Sequence, residues 1–516
     1  MSKPATKSLP KPAIMPEVGR IGLQISDFRS KKNLTQADFA KLLGTSQSAV
    51  ARMETGQQNI SAKLLIKIGD ILNKEIITLT NPSLNFKIEG GRKLSGTVVT
   101  KTSKNAAVVM LCAALLNRST TTLKNLPRIE EVFRVIEVLL SIGVGVKWQG
   151  NDVVITPPAR FKMAAIDVEA AVKTRSIIFL LGVLIHRLAE FELPHPGGCR
   201  LGERTVRPHL FALEKFGVQI ESKTDTYRVQ AKRLHEAEVV LYESGDTTTE
   251  NALMAAAGIE GVSTIKFASA NYQIQDLCVF LQALGVRIEG VGTSTLTVWG
   301  RSVIDTPMTY SISEDPIESM LFVAAAVMTK SRITIQRCPI DFLELELLKL
   351  EKMGFNYERG PRYKAANRHT DLVDITTHPS KLRALEEKIH PGIYPGLNMD
   401  NLPFFVPIAT QAKGQTLIHD WPYENRAIYY MELTKLGADL ILADPHRVYV
   451  SGPTKLRPAE IICPPALRPA AIILIAMLAA PGTSILRNVY SINRGYEDLY
   501  ARLNALGADI QVLKGL

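Results

Sequence analysis

From residue 86 onward one hydrophobic pattern recurs along the chain. A run that is apolar on nearly every side, such as "KNAAVVMLCAALL" or "LRPAAIILIAML", meets a short alternating stretch. An amphipathic run ending in glycine follows, and then a second alternating stretch. Runs apolar all round predict buried helices, and alternation predicts strands with one face covered. The glycine-ended runs read "LLSIGVGVKW", "LEKFGVQIE", "LQALGVRIEG", "LEKMGFNYE", "LTKLGADLIL" and "LNALGADIQV". Their glycines, Gly143, Gly217, Gly285, Gly354, Gly437 and Gly507, lie 68 to 83 residues apart and predict six helix caps leading into strands. Short strands are expected upstream of them in "STTTLKNL", "AEFELP", "STIKFAS", "SRITIQR", "QTLIHDW" and "TSILRNV". Six such units are too many for one core, so an α/β body of two lobes with three units each is expected.

The first eighty residues follow a different pattern. Residues 1–18 are rich in Pro and Lys and predict a flexible basic arm. Residues 19–80 read as short helices. In "LTQADFAKLLGTSQSAVARMETGQ", Phe39, Leu42, Leu43 and Val50 give the apolar spacing of two helices. Gly44 suits the turn between them, and Thr45 or Ser46 can cap the second. This is a helix-turn-helix, and the stretch resembles the lambda-repressor-like DNA-binding domains. The resemblance implies that Gln47, Ser48 and Arg52 face the major groove, that Gln36 contacts phosphate, and that two copies bind paired half-sites of double-stranded DNA. A short linker, 81–85 in "TNPSLNF", leads to the body at 86–516. Lobe A is expected at 105–312, and lobe B at 313–512 together with the first strands at 86–104.

Charge sharpens this division. The chain has 516 residues and a net charge of +11. Up to Asn85 there are twelve Lys and Arg against six Asp and Glu, so over half of the excess sits in one sixth of the chain. A basic N-terminal segment on a nearly balanced body implies a polyanion partner at that end. Five cysteines stand apart with no CxxC pair, which argues against a zinc site or a disulfide framework and fits a reducing cytoplasm. No apolar run reaches the ~18 residues of a membrane span.

The repeat also places the candidate chemistry. Lys104, Arg175, Asp400 and Arg468 each fall at the start of the first helix of a unit. Cys199 with Arg204, then Arg426 and Arg494, each fall after the strand, near the second helix. Units packed quasi-symmetrically would gather these positions at corresponding helix ends, where free N–H groups already favour anions. Arginine suits bidentate contact with carboxylate and phosphate. A small, multiply charged ligand is expected.

"TKTSKNAAVVMLCAALL", "LPHPGGCRLGER", "YENRAIYYMELTKLGA" and "INRGYEDLYARLNALGADI" resemble the UDP-N-acetylglucosamine 1-carboxyvinyltransferase family of enolpyruvyl transferases, over the whole body. The resemblance implies a two-lobed inside-out α/β barrel of six repeats with the site between the lobes. It implies transfer of enolpyruvyl from phosphoenolpyruvate to the 3-hydroxyl of a UDP-sugar, without metal or cofactor, in early peptidoglycan precursor synthesis. It assigns Lys104, Arg204, Arg426, Arg468 and Arg494 to phosphoenolpyruvate, and Asn105 and Arg175 to the nucleotide sugar. Asp400 becomes the base and Cys199 the acid on a mobile loop. Four positions depart from the family pattern. Thr205 and Arg207 replace a proline and an aspartate, Asp246 stands near an expected diphosphate turn, and Ala466 replaces an aspartate two residues before Arg468. These departures leave two other readings open: a different nucleotide acceptor, or a DNA-binding regulator that senses a cell-wall precursor.

Overall fold

The computed structural model describes residues 34–55, 84–197 and 205–514, with positions 22, 25, 26, 28–30, 32, 64, 67, 68 and 71 beside them. The basic arm at 1–18 and linker residues 81–83 lie outside the described residues, as do Cys199 and Arg204. The chain divides into two compact units, Met1–Thr78 and Leu79–Leu516.

In the first unit, helix α1 spans Gln36–Leu43 and helix α2 spans Gln47–Glu54. Thr35 caps α1 in a reciprocal box with Asp38, and Ser46 caps α2, its Oγ accepting from the Ala49 amide at 3.2 Å. Of the two caps open from sequence, Ser46 is the one used. Gly44 turns the chain in the left-handed region at φ +67°. Ile25, Phe39, Val50, Met53 and Ile68 form the small core. Glu54 is buried beside it and accepts from Arg29 Nε at 2.5 Å and Gln36 Nε2 at 2.8 Å.

The body is built around six helices, the first of each unit: α3 (Lys104–Ala113), α4 (Phe179–Leu184), α5 (Asp246–Ala257), α6 (Pro316–Met328), α7 (Phe405–Ala409) and α8 (Leu467–Ala479). Their composition dictates their place. Every residue of α6 is buried, as is all of α3 from Ala106 onward. A helix with no polar face can only sit inside. Six small sheets cover them, three per lobe. The strands alternate in burial, Gly145–Gln149 for example exposing every other residue, so each sheet turns one face to a helix and the other to solvent. The six repeat glycines all adopt positive φ, between 84° and 99°, as the end of each second helix turns into its strand.

One core draws on residues 106–312. The other draws on 84–98 and 317–510 and also takes in Tyr272. The chain crosses between them twice, and the crossings run side by side. Ser103 N donates to Ser313 O at 2.8 Å and Asp315 N to Lys101 O at 2.8 Å. The linker expected over 81–85 ends earlier than anticipated. Leu84 and Asn85 open the strand Leu84–Gly90, paired with the C-terminal strand, because Leu84 buries its side chain in the second core. Among the described residues no helix is long and apolar enough to cross a membrane.

Replacing Glu54 by Ala leaves the half-buried Arg29 cation without its carboxylate. It should destabilise the N-terminal unit by about 3 kcal/mol. Amide hydrogen exchange in α1 and α2 should accelerate while exchange in the body stays unchanged.

Candidate active site

Between the lobes lies a cavity of about 660 Å³, large enough for a nucleotide-sized ligand. The N-terminal residues of α3, α4, α5 and α8 all line it, and so do Lys104, Asn105, Arg175, Asp400, Arg426, Arg468 and Arg494. The structure thus brings seven of the nine body residues singled out from sequence to one place. The other two, Cys199 and Arg204, fall outside the described residues. The remaining four cysteines are buried, and burial pushes the Cys278, Cys338 and Cys463 thiols up to about 12, which leaves them inert at neutral pH.

The cations are not bare. Lys104 Nζ pairs with Glu131 at 2.8 Å, and Ser176 Oγ donates to the other oxygen of that carboxylate at 2.8 Å. Burial works to raise the Glu131 carboxyl, yet Lys104 and Arg494 hold it at about 2. Arg468 Nη2 donates to Asp400 at 3.0 Å, while its Nη1 donates to Tyr496 Oη at 2.6 Å. Arg426 is 1% exposed, and Asp420 clasps it at 2.6 and 2.7 Å. Its Nη2 also reaches the Met399 carbonyl, and its Nη1 lies 3.9 Å from Asp400. Arg426 therefore braces the wall that carries Asp400. Asp400 sits between two guanidiniums. Burial opposes its charge, but Arg468 and then Arg426 hold it below the usual carboxylate range, so it is ionised and able to accept a proton.

Arg494 follows the turn Tyr490–Asn493, and its buried Nε has no acceptor among the described residues. Arg175 Nη2 donates to the Thr205 carbonyl at 3.2 Å, and Asn105 Nδ2 donates to Tyr272 Oη at 3.1 Å. The departures from the family pattern fall in different places. Arg207 is exposed at the start of its helix and is not part of the cavity lining. Asp246 is the first residue of α5 and lines the cavity. Ala466 is buried at the start of α8, where no side chain caps the helix.

Sequence reasoning missed Glu131, Glu250, Trp421 and Tyr423, which also line the cavity. Glu131 belongs to "RIEEVF" at the start of an amphipathic helix, and nothing in that stretch marks it as a partner for Lys104. In the N-terminal unit, Gln47, Ser48 and Arg52 are exposed on α2, and Gln36 Nε2 donates to Glu54 at 2.8 Å.

Comparison with known proteins matches residues 88–503 to the EPSP synthase (3-phosphoshikimate 1-carboxyvinyltransferase) family, and residues 25–79 to a helix-turn-helix family. A UDP-N-acetylglucosamine 1-carboxyvinyltransferase of Bradyrhizobium diazoefficiens is 33% identical over 83% of this chain and 98% of its own length. One from Treponema pallidum is 32% identical over 82% and 98%. The solved enolpyruvyl transferase NikO from Streptomyces tendae superposes with a TM-score of 0.73 at 24% identity, covering 84% of this chain and all of that one. EPSP synthase from Acinetobacter baumannii superposes at 0.64 with 16% identity over 84% of this chain and all of its own. These two superpositions speak for the fold.

The Glu131 carboxyl titrates below its ordinary value when folded. The stability it contributes is therefore present above about pH 4.5 and lost as pH falls toward 2. Glu131→Gln should cost on the order of 3 kcal/mol at neutral pH, and this difference from the parent should shrink steadily between pH 5 and pH 2 in denaturant unfolding.

Proposed function

The chain belongs to the UDP-N-acetylglucosamine 1-carboxyvinyltransferase family of enolpyruvyl transferases, with an added helix-turn-helix domain, and on that premise we propose how its cleft works. It transfers enolpyruvyl from phosphoenolpyruvate to the 3-hydroxyl of UDP-N-acetylglucosamine and releases phosphate. The observation that carries this reading is the ionised Asp400 held between Arg468 and Arg426, in the cavity that also holds Lys104 and Arg494.

In this reading Lys104, Arg494 and Arg204 hold the phosphoenolpyruvate anion, with Arg468 completing the cationic wall. Asn105 and Arg175 hold the nucleotide sugar. Asp400 takes the proton from the acceptor hydroxyl as its oxygen bonds to the central carbon of phosphoenolpyruvate. Cys199 delivers a proton to the methylene carbon, giving a tetrahedral ketal. The Cys199 thiolate then takes a methyl proton back, and phosphate departs with the proton held by Asp400, which restores the double bond on the product. Arg426 keeps Asp400 in place and ionised. With a methyl at Ala466, Asp400 alone supplies the base on the α8 side.

Asp400→Asn should lower kcat at least 100-fold with little change in the KM for phosphoenolpyruvate, read as phosphate released in the presence of UDP-N-acetylglucosamine. Cys199→Ala should show a comparable loss. If the native chain released no phosphate with both substrates saturating, while Ala466→Asp restored turnover, the native chain would not be an efficient enzyme of this kind.

The exposed Gln47, Ser48 and Arg52 on α2 support a second activity, binding of double-stranded DNA by two copies of the N-terminal unit. Affinity for duplex DNA should fall with rising salt, and Arg52→Ala should weaken binding by about tenfold in fluorescence anisotropy. An unchanged affinity in Arg52→Ala would remove α2 from the contact.

A further inference from the structure

The α5 wall of the cleft carries carboxyl groups in place of cations. Gly245 caps α5, and Asp246 is its first residue. Asp246 is saturated: one oxygen accepts from Ser269 Oγ at 2.5 Å, and the other from Asn271 Nδ2 at 3.0 Å and Gln273 Nε2 at 2.7 Å. Beyond it the wall continues into a side recess whose lining adds Asp341 and Glu346 and holds no Lys or Arg. This side of the cleft is poorly suited to phosphate.

Glu250 lies one turn further along α5, on the face that lines the cleft. It is 1% exposed, and no group among the described residues hydrogen-bonds its carboxyl. Burial first, and then the neighbouring Asp246, push it well above the ordinary carboxyl range, with Lys104 only partly offsetting them. Burial favours the protonated form of this carboxyl, which offers one O–H donor beside one C=O acceptor. Both are unspent, and a buried polar group is ordinarily satisfied by something.

We propose that Glu250 is a specificity-determining contact for the acceptor, pairing its carboxyl with the acetamido group of the sugar. The contact is complementary, since a trans amide offers an N–H on one edge and a C=O on the other, and a carboxyl that both donates and accepts can meet either one. The position fits too. Lys104, assigned to phosphoenolpyruvate, is close enough to Glu250 to act on it electrostatically. In the acceptor, the acetamido group is on the carbon next to the hydroxyl that receives the enolpyruvyl group. The inference rests on the enolpyruvyl-transfer reading of the cleft.

The test uses the full chain with UDP-N-acetylglucosamine and UDP-glucose, which differ at the acetamido group, and measures binding by calorimetry alongside phosphate release. The parent protein should prefer the acetamido sugar at least tenfold. Glu250→Val should reduce that preference to threefold or less by weakening the acetamido sugar alone, with the KM for phosphoenolpyruvate moving less than twofold. Glu250→Gln, neutral and still able to donate and accept, should keep the preference. Glu250→Met provides a second apolar variant, and thermal unfolding identifies which variants fold. A folded apolar variant that keeps the preference, or that loses both sugars equally, overturns the contact, as does a parent protein without preference. Turnover that proceeds regardless of Glu250 sinks this contact and leaves the transfer reading standing. A Glu250-dependent preference without phosphate release does the reverse.

Discussion

A helix that is apolar on every side can present polar groups only at its ends. The body depends on this constraint. Its six first helices are buried along their length, so the sheets must lie outside them, and the charges of "SKN" at α3, "GDTT" at α5 and "LRPA" at α8 are confined to their N-terminal turns. When the lobes close on one another, those turns meet. The cleft is polar because these turns line it together, with seven Lys and Arg and six Asp and Glu among its described lining residues.

The cations in that cleft are restrained by carboxylates, and this gives the site its chemistry. A bare cluster of Lys and Arg would be costly to bury, and it would bind any anion. Pairing Lys104 with Glu131, Arg426 with Asp420 and Arg468 with Asp400 fixes each side chain in one geometry. It also assigns different tasks. Asp420 is consumed in holding Arg426 and Tyr430. Asp400, held more loosely by two guanidiniums, keeps its charge and remains open to the cleft. Across from it, α5 presents carboxyls that no cation neutralises directly, so the two sides of the cavity ask for different chemistry from one ligand.

Much of this was legible in the chain itself. The glycine-ended runs foretold six caps, and all six glycines take up the left-handed conformation that their position demands. The strands around Thr121–Lys124, Glu190–Pro194 and Gly482–Arg487 lie where the alternation put them. Six polar side chains chosen by their place in the repeat share one cavity, with Asn105 beside them. Less legible were residues whose meaning comes from a partner. Glu131 and Glu250 sit in ordinary helical stretches. The bonds from Gln36 to Glu54 and from Arg426 to Asp420 were equally hidden.

The division has a physical cause. Helix caps, turn glycines, buried helices and half-covered strands depend on neighbours a few residues away, so the amino-acid sequence by itself determined the repeat, the helix-turn-helix and the inside-out layering. Ion pairs depend on where distant backbones come to rest. Lys104 and Glu131 are 27 residues apart, and Asp400 and Arg468 are 68 apart. A shift of about an ångström makes or breaks such a contact. Only the tertiary structure decided which carboxylate restrains which cation, which one stays ionised at the mouth of the cleft, and which one is left without a partner.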